Sequence, residues 1–97
     1  MFLRLTNNKE LVKHYGLLAK RIKQRLLEIE AAENLKQLSL LPSTGFHGLK
    51  GKFENCFSLR ISGNYRIIIK PEFYNSCEEI KLEEITSIII IDILDYH

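Results

Sequence analysis

The side chains able to do chemistry in this chain fall in three places. Asp95-Tyr96-His97 continue an apolar run, so a carboxylate, a phenol and an imidazole stand side by side. His47 lies in Gly45-Phe46-His47-Gly48-Leu49-Lys50-Gly51, where three glycines in seven residues permit backbone conformations that a β-carbon forbids. Lys50 and Lys52 follow it. Arg60 and Arg66 add two guanidinium groups, whose planar fork suits bidentate contact with phosphate. RNA is cut without a metal when its own 2′-hydroxyl attacks the adjacent phosphorus. That reaction needs a base for the hydroxyl, cations for the phosphorane oxygens and an acid for the departing 5′-oxygen. Histidine titrates near neutral pH, so His47 and His97 can each serve as base or acid. The metal spacings HExxH and CxxC, the GxxxxGK[ST] phosphate loop and the GxSxG elbow are absent, and neither metal nor cofactor is expected. The competing readings are a solvated polar tail at 95–97 and an exposed loop histidine at His47.

These groups need a scaffold, and hydrophobic periodicity supplies one. Residues 2–5 read as a short edge strand. Thr6-Asn7-Asn8 offers N-cap side chains, and Asn7 with Glu10 resembles a capping box. Leu11, Tyr15, Leu18, Ile22, Leu26 and Ile29 then recur at helical spacing, with Gly16 dividing a helix of about 7–15 from one of about 17–32. Residues 34–38 add a short helical turn, and Leu41-Pro42-Ser43-Thr44-Gly45 is loop chemistry. After that the period falls to two: Phe57, Leu59 and Ile61 alternate with Ser58, Arg60 and Ser62. Gly63-Asn64 marks a reversal into a return strand, Tyr65–Lys70. A two-residue loop would put Arg66 on the apolar face. A three-residue loop, 62–64, pairs Leu59 with Ile67 and Arg60 with Arg66, so the apolar side chains share one face and the arginines the other. Like charges held opposite one another repel, and an anion between them would relieve the cost. Pro71 to about Glu84 is an acidic connection. The last strand, about 85–94, is apolar on both faces at Ile88–Ile91 and therefore central. The expected fold is α+β: N-terminal helices packed on one face of a small, mainly antiparallel sheet, in one domain over 1–97.

Composition narrows the partners. The chain has 97 residues, 45% hydrophobic and 27% charged, which excludes a disordered tail or a disulfide-dense mini-protein. No apolar run approaches the ~18 residues of a membrane span, and no secretory signal is visible, so the cytoplasm is expected. Cys56 and Cys77 read as reduced thiols. The net charge of +2 conceals an asymmetry: residues 1–52 carry +6 and residues 53–97 carry −4. A basic half suits a polyanionic partner, and Lys20, Arg21, Lys23 and Arg25 on the helix, with Lys52 and Arg60, are the expected RNA contacts. A solvated helix surface is the alternative.

The linked elements His47-Gly48-Leu49-Lys50-Gly51, Gly63-Asn64-Tyr65-Arg66 and the terminal Asp95-Tyr96-His97 resemble the HigB branch of the RelE/ParE toxin superfamily, the host-inhibition or plasmid-maintenance killer toxins. The resemblance implies a ribosome-dependent mRNA endoribonuclease (an mRNA interferase), held in check by a HigA-like helix-turn-helix antitoxin. Matched residue by residue, it implies catalytic roles for His47 and Lys50, for Arg66 after the Gly-Asn-aromatic element, and for Asp95, Tyr96 and His97. Arg60 comes from the hairpin register alone. Tyr65 stands where a tryptophan is common, and the 71–84 connection is longer than in compact HigB sequences.

Two other functions compete. A non-enzymatic inhibitor, like the gyrase-poisoning ParE branch, would have no evident need for imidazoles beside phosphate-binding arginines. An RNA-binding or partner-binding module would need only the charge.

Overall fold

The computed structural model describes residues 1–5, 18–74 and 79–95. Strand β1 is Phe2–Leu5, followed by helix α1, Ala19–Ala31, and a short helix α2, Leu35–Ser39. Strands β2 (His47–Gly48), β3 (Phe57–Arg60), β4 (Tyr65–Pro71) and β5 (Ser87–Asp95) complete the chain. The five strands form one sheet in the order β1-β5-β4-β3-β2. β1 runs parallel to β5, and the other pairs are antiparallel. The α+β architecture is the expected one. The proposed capping box at Asn7, the helix of about 7–15 and the break at Gly16 lie outside the described residues, as do Cys77, Tyr96 and His97.

α1 forms because its apolar positions repeat at the helical period: Ile22 and Ile29 are buried and Leu26 packs beside them. Its carboxyl end is closed by the amino group of Met1, which donates to the carbonyls of Glu30 and Ala32. A cation there also suits the negative end of the helix dipole. α2 is capped by Asn34, whose side chain accepts from Gln37 N at 2.9 Å, while Gln37 Oε1 accepts from Glu33 N at 2.8 Å. Leu35 and Leu38 turn inward, and Leu35 N bonds Ile85 O at 2.9 Å, tying α2 to the segment before β5.

The core lies between the helices and one face of the sheet. Leu59, Ile61, Ile67, Ile69, Ile88, Ile90 and Ile93 meet Ile22, Ile29, Leu35 and Leu38 there. The β3–β4 register is Leu59 opposite Ile67 and Arg60 opposite Arg66. This is the three-residue-loop register, and Ile61 N and Ser62 N both bond Tyr65 O to close it. β5 is interior, between β1 and β4. Its ladder with β4 jumps from Ile69–Ile90 to Ile68–Asp92, so Ile91 has no partner and forms a bulge. Among the described residues no helix is long and apolar enough to cross a membrane.

Candidate active site

The sheet face away from the helices carries the candidate chemistry. His47 stands opposite Ser58 across β2 and β3, and Ser58 stands opposite Ile68 across β3 and β4. Directly opposed residues share a face, so His47, Ser58 and Ile68 form one row. Arg60 and Arg66, two residues along their strands, form the next. A cleft of about 580 Å³ opens over these rows, lined in part by Gly45, Phe46, His47, Ser58 and Arg66.

Arg66 is held in two places. Its Nε donates to Ser58 Oγ at 2.9 Å, and its Nη2 donates to the carbonyl of Gly45 at 2.6 Å. Ser58 is 1% exposed. Gly45 reaches this position in the left-handed region, at φ +57°. A β-carbon there would stand 3.2 Å from Arg60 Cβ, 3.4 Å from Arg60 Nε and 3.6 Å from Arg66 Nη2. The glycine therefore brings its carbonyl to one guanidinium while leaving space beside both. Arg60 is exposed, and its guanidinium makes no hydrogen bond or ion pair among the described residues. Two cationic side chains thus stand on opposed positions of one sheet face.

Arg25 organises the rim from the helix side. Its Nε donates to Arg60 O at 2.6 Å and its Nη2 to Ser43 O at 2.7 Å, while Nη1 is paired with Glu28 at 3.0 Å. One side chain on α1 therefore ties down the end of β3 and the loop that carries Gly45. Phe46 stacks on Phe57 with ring centres 4.8 Å apart, fixing the same loop from its other end.

The other nominated residues are distributed around this face. Lys50 lines an adjoining depression with Gly48, Cys56 and Phe57; Leu49 is shared between the two. The Lys52 ammonium lies 5.6 Å from the Phe53 ring centre. Asp95 pairs with Tyr65 across β4 and β5 and follows the inward-facing Ile93 by two residues. It therefore lies on the helix side of the sheet, at the same end as Arg66 but on the opposite face. Lys20, Arg21 and Lys23 are exposed on α1 and line no part of the cleft. The structure brings together His47, Arg60 and Arg66. It does not bring the helix lysines to them, and Tyr96 and His97 lie outside the described residues. Among the described residues no three His, Cys, Asp or Glu side chains converge to hold a metal ion.

Ser58 and Gly45 are the site residues that sequence reasoning passed over. Ser58 reads as one more polar position in an alternating strand until β2 is paired with β3. Gly45 reads as an ordinary turn glycine until its carbonyl is seen on Arg66.

Residues 6–84 match the family described as the RelE-like toxin of type II toxin-antitoxin system HigB. The chain belongs to that family. The matched residues include His47, Lys50 and Arg66; residues 95–97 lie beyond them. Its fold is similar to that of a YoeB-YefM complex from Staphylococcus aureus, at 17% identity and TM-score 0.62 over 100% of this chain and 97% of that one. It is also similar to a YoeB/ParE toxin from Agrobacterium tumefaciens, at 15% identity and TM-score 0.59 over 100% of both chains. No curated protein matches the chain in sequence.

Proposed function

We propose that this HigB-family toxin inhibits translation as a ribosome-dependent endoribonuclease acting on mRNA. The observation that carries the reading is the Arg60–Arg66 pair, opposed across two strands beside Gly45 and one row from His47. A phosphodiester seated between the guanidinium groups would remove their mutual repulsion and place its phosphorus near an imidazole.

In the reaction, the 2′-oxygen attacks the adjacent phosphorus and loses its proton to a base. Charge builds on the phosphorane oxygens, where Arg66, Arg60 and Lys50 offset it. The bond from phosphorus to the 5′-oxygen then breaks as an acid delivers a proton to that oxygen. The products are a 2′,3′-cyclic phosphate and a free 5′-hydroxyl. His47 and His97 are the proton-transfer candidates and Tyr96 supports a nucleobase; Asp95, across the sheet from His47 and Arg66, would act from the strand end by orienting the imidazole of His97. Lys20, Arg21, Lys23 and Lys52 would hold the protein to ribosomal RNA, and a HigA-like helix-turn-helix antitoxin would silence it in the cytoplasm.

The test is induced expression followed by 5′-end mapping of cellular mRNA, repeated with purified protein on programmed ribosomes. New 5′-hydroxyl ends that appear with the parental chain and disappear with Arg66→Ala support the reading. Growth arrest without RNA ends would favour a non-enzymatic inhibitor.

A further inference from the structure

Arginine presents two edges for bidentate contact: a side edge made of Nε and Nη2, and an end edge made of Nη1 and Nη2. In Arg66 the side edge is already occupied, Nε by Ser58 Oγ at 2.9 Å and Nη2 by Gly45 O at 2.6 Å. The end edge is the one left for a phosphate. Which edge faces the cleft is therefore decided by two acceptors, and they differ in kind. Gly45 O belongs to a backbone that any residue would supply. The Ser58 hydroxyl is a side-chain group, almost fully buried, on the strand between His47 and Ile68.

We propose that Ser58 is a positioning residue for the reaction: it takes up the Nε–H of Arg66 and so commits the Nη1/Nη2 edge to the scissile phosphate. The inference rests on the reading of Arg66 as the group that stabilises charge on that phosphate. Ser58 need not touch RNA. Its effect runs through the orientation of one guanidinium, which matters more as charge develops than when substrate first binds. Without the hydroxyl, Nε–H has no partner and competes for the phosphate. RNA still binds two cations, but in a less productive geometry.

The experiment is steady-state cleavage of ribosome-bound mRNA by Ser58→Ala and Ser58→Cys, each made in the parental chain and in Arg66→Lys. Cysteine keeps roughly the volume of serine but is a weak acceptor. Both variants are expected to lower kcat about tenfold or more, with KM within about twofold and an unchanged pH profile. In Arg66→Lys, which has no fork to orient, the same substitutions should cost nothing further. Thermal melts run alongside identify a variant whose loss comes from unfolding. Parental kcat in Ser58→Cys, or an equal loss in the Arg66→Lys background, would overturn the proposal. If instead Arg66→Ala itself cleaves normally, it is the nuclease reading that fails.

Discussion

Arg60 and Arg66 occupy directly opposed positions on neighbouring antiparallel strands, with the glycine loop beside them, and among the described residues neither has a carboxylate in a salt bridge. A fold selected only for stability would have an opposite charge or a neutral residue at one of these positions. The pair is thus a place where the stability of the free protein and its affinity for an anion pull in opposite directions.

Arg60→Gln separates the two effects. Removing one cation should stabilise the RNA-free protein by about 0.5 kcal/mol, the scale of an opposed like-charge pair. The same change should weaken RNA binding and reduce its salt dependence. Thermal melts and binding titrations at several salt concentrations check both halves. A variant that loses stability contradicts the repulsion argument.

Gly45→Ala tests the loop. The left-handed backbone costs an L-residue about 1–2 kcal/mol, and the new methyl would crowd Arg60 Cβ at 3.2 Å. Chemical denaturation should show a loss of that size. Cleavage should fall further than the stability loss explains, because the methyl enters the space beside both guanidinium groups.

Arg25 and Lys23 lie two residues apart on α1 and should behave differently. Arg25→Gln removes the donor that holds the Ser43 and Arg60 carbonyls and leaves Glu28 without its cation. It should cost about 2 kcal/mol of stability. Lys23→Gln is an exposed change and should leave the melting temperature in place. Its effect should appear in the salt dependence of ribosome binding.

Deleting Tyr96 and His97 should abolish cleavage while leaving a cooperative melt. The buried apolar part of β5 is Ile88, Ile90 and Ile93, all upstream of the cut. Circular dichroism melts and ribosome-dependent cleavage, measured on the same preparation, check this. A folded truncation with parental activity would remove the terminal pair from the mechanism.

Glu72 accepts from Arg4 at 3.2 Å and from Ser87 at 3.2 Å, joining β1 to the end of β4 and the start of β5. The hydrogen bond from Arg4 is the main reason its carboxyl is held below the ordinary range. A depressed carboxylate pKa contributes stability that is complete above the unfolded value and is lost as pH falls through the folded one. Glu72→Gln should therefore be less stable than the parent at neutral pH, and the difference should close in acid. Paired melts across pH 2–7 measure it.

Much of this arrangement could be read from residue order. The alternation of Phe57, Leu59 and Ile61 with polar neighbours, set against Tyr65–Lys70, sufficed to choose the register that opposes Arg60 to Arg66. Ile22 and Ile29 identified the inner face of α1 because a helix has one dominant period. The periodicity could not distinguish Arg25 from Lys23. Both belong to one basic helix, and only the approach of the Ser43 and Arg60 carbonyls makes Arg25 a structural donor. The two-residue strand β2 was also illegible, since His47-Gly48 is too short for a pattern and pairs with β3 across a loop. Without that pairing, nothing joins His47 to Ser58.

The bulge at Ile91 acts on β5 as a frameshift acts on a message. Upstream of it the even positions, Ile88 and Ile90, face the helices; downstream the odd ones do, beginning with Ile93. Asp92 and Leu94 are thereby turned to the arginine side, and Asp95 comes out beside Tyr65. Strict alternation carried through from Ile88 would have put Asp95 on the other face. Losing Ile91 would heal the ladder and keep every later residue on its present side. Losing one residue between Ile93 and Asp95 would transfer that carboxylate to the opposite surface of the sheet with almost no change in composition.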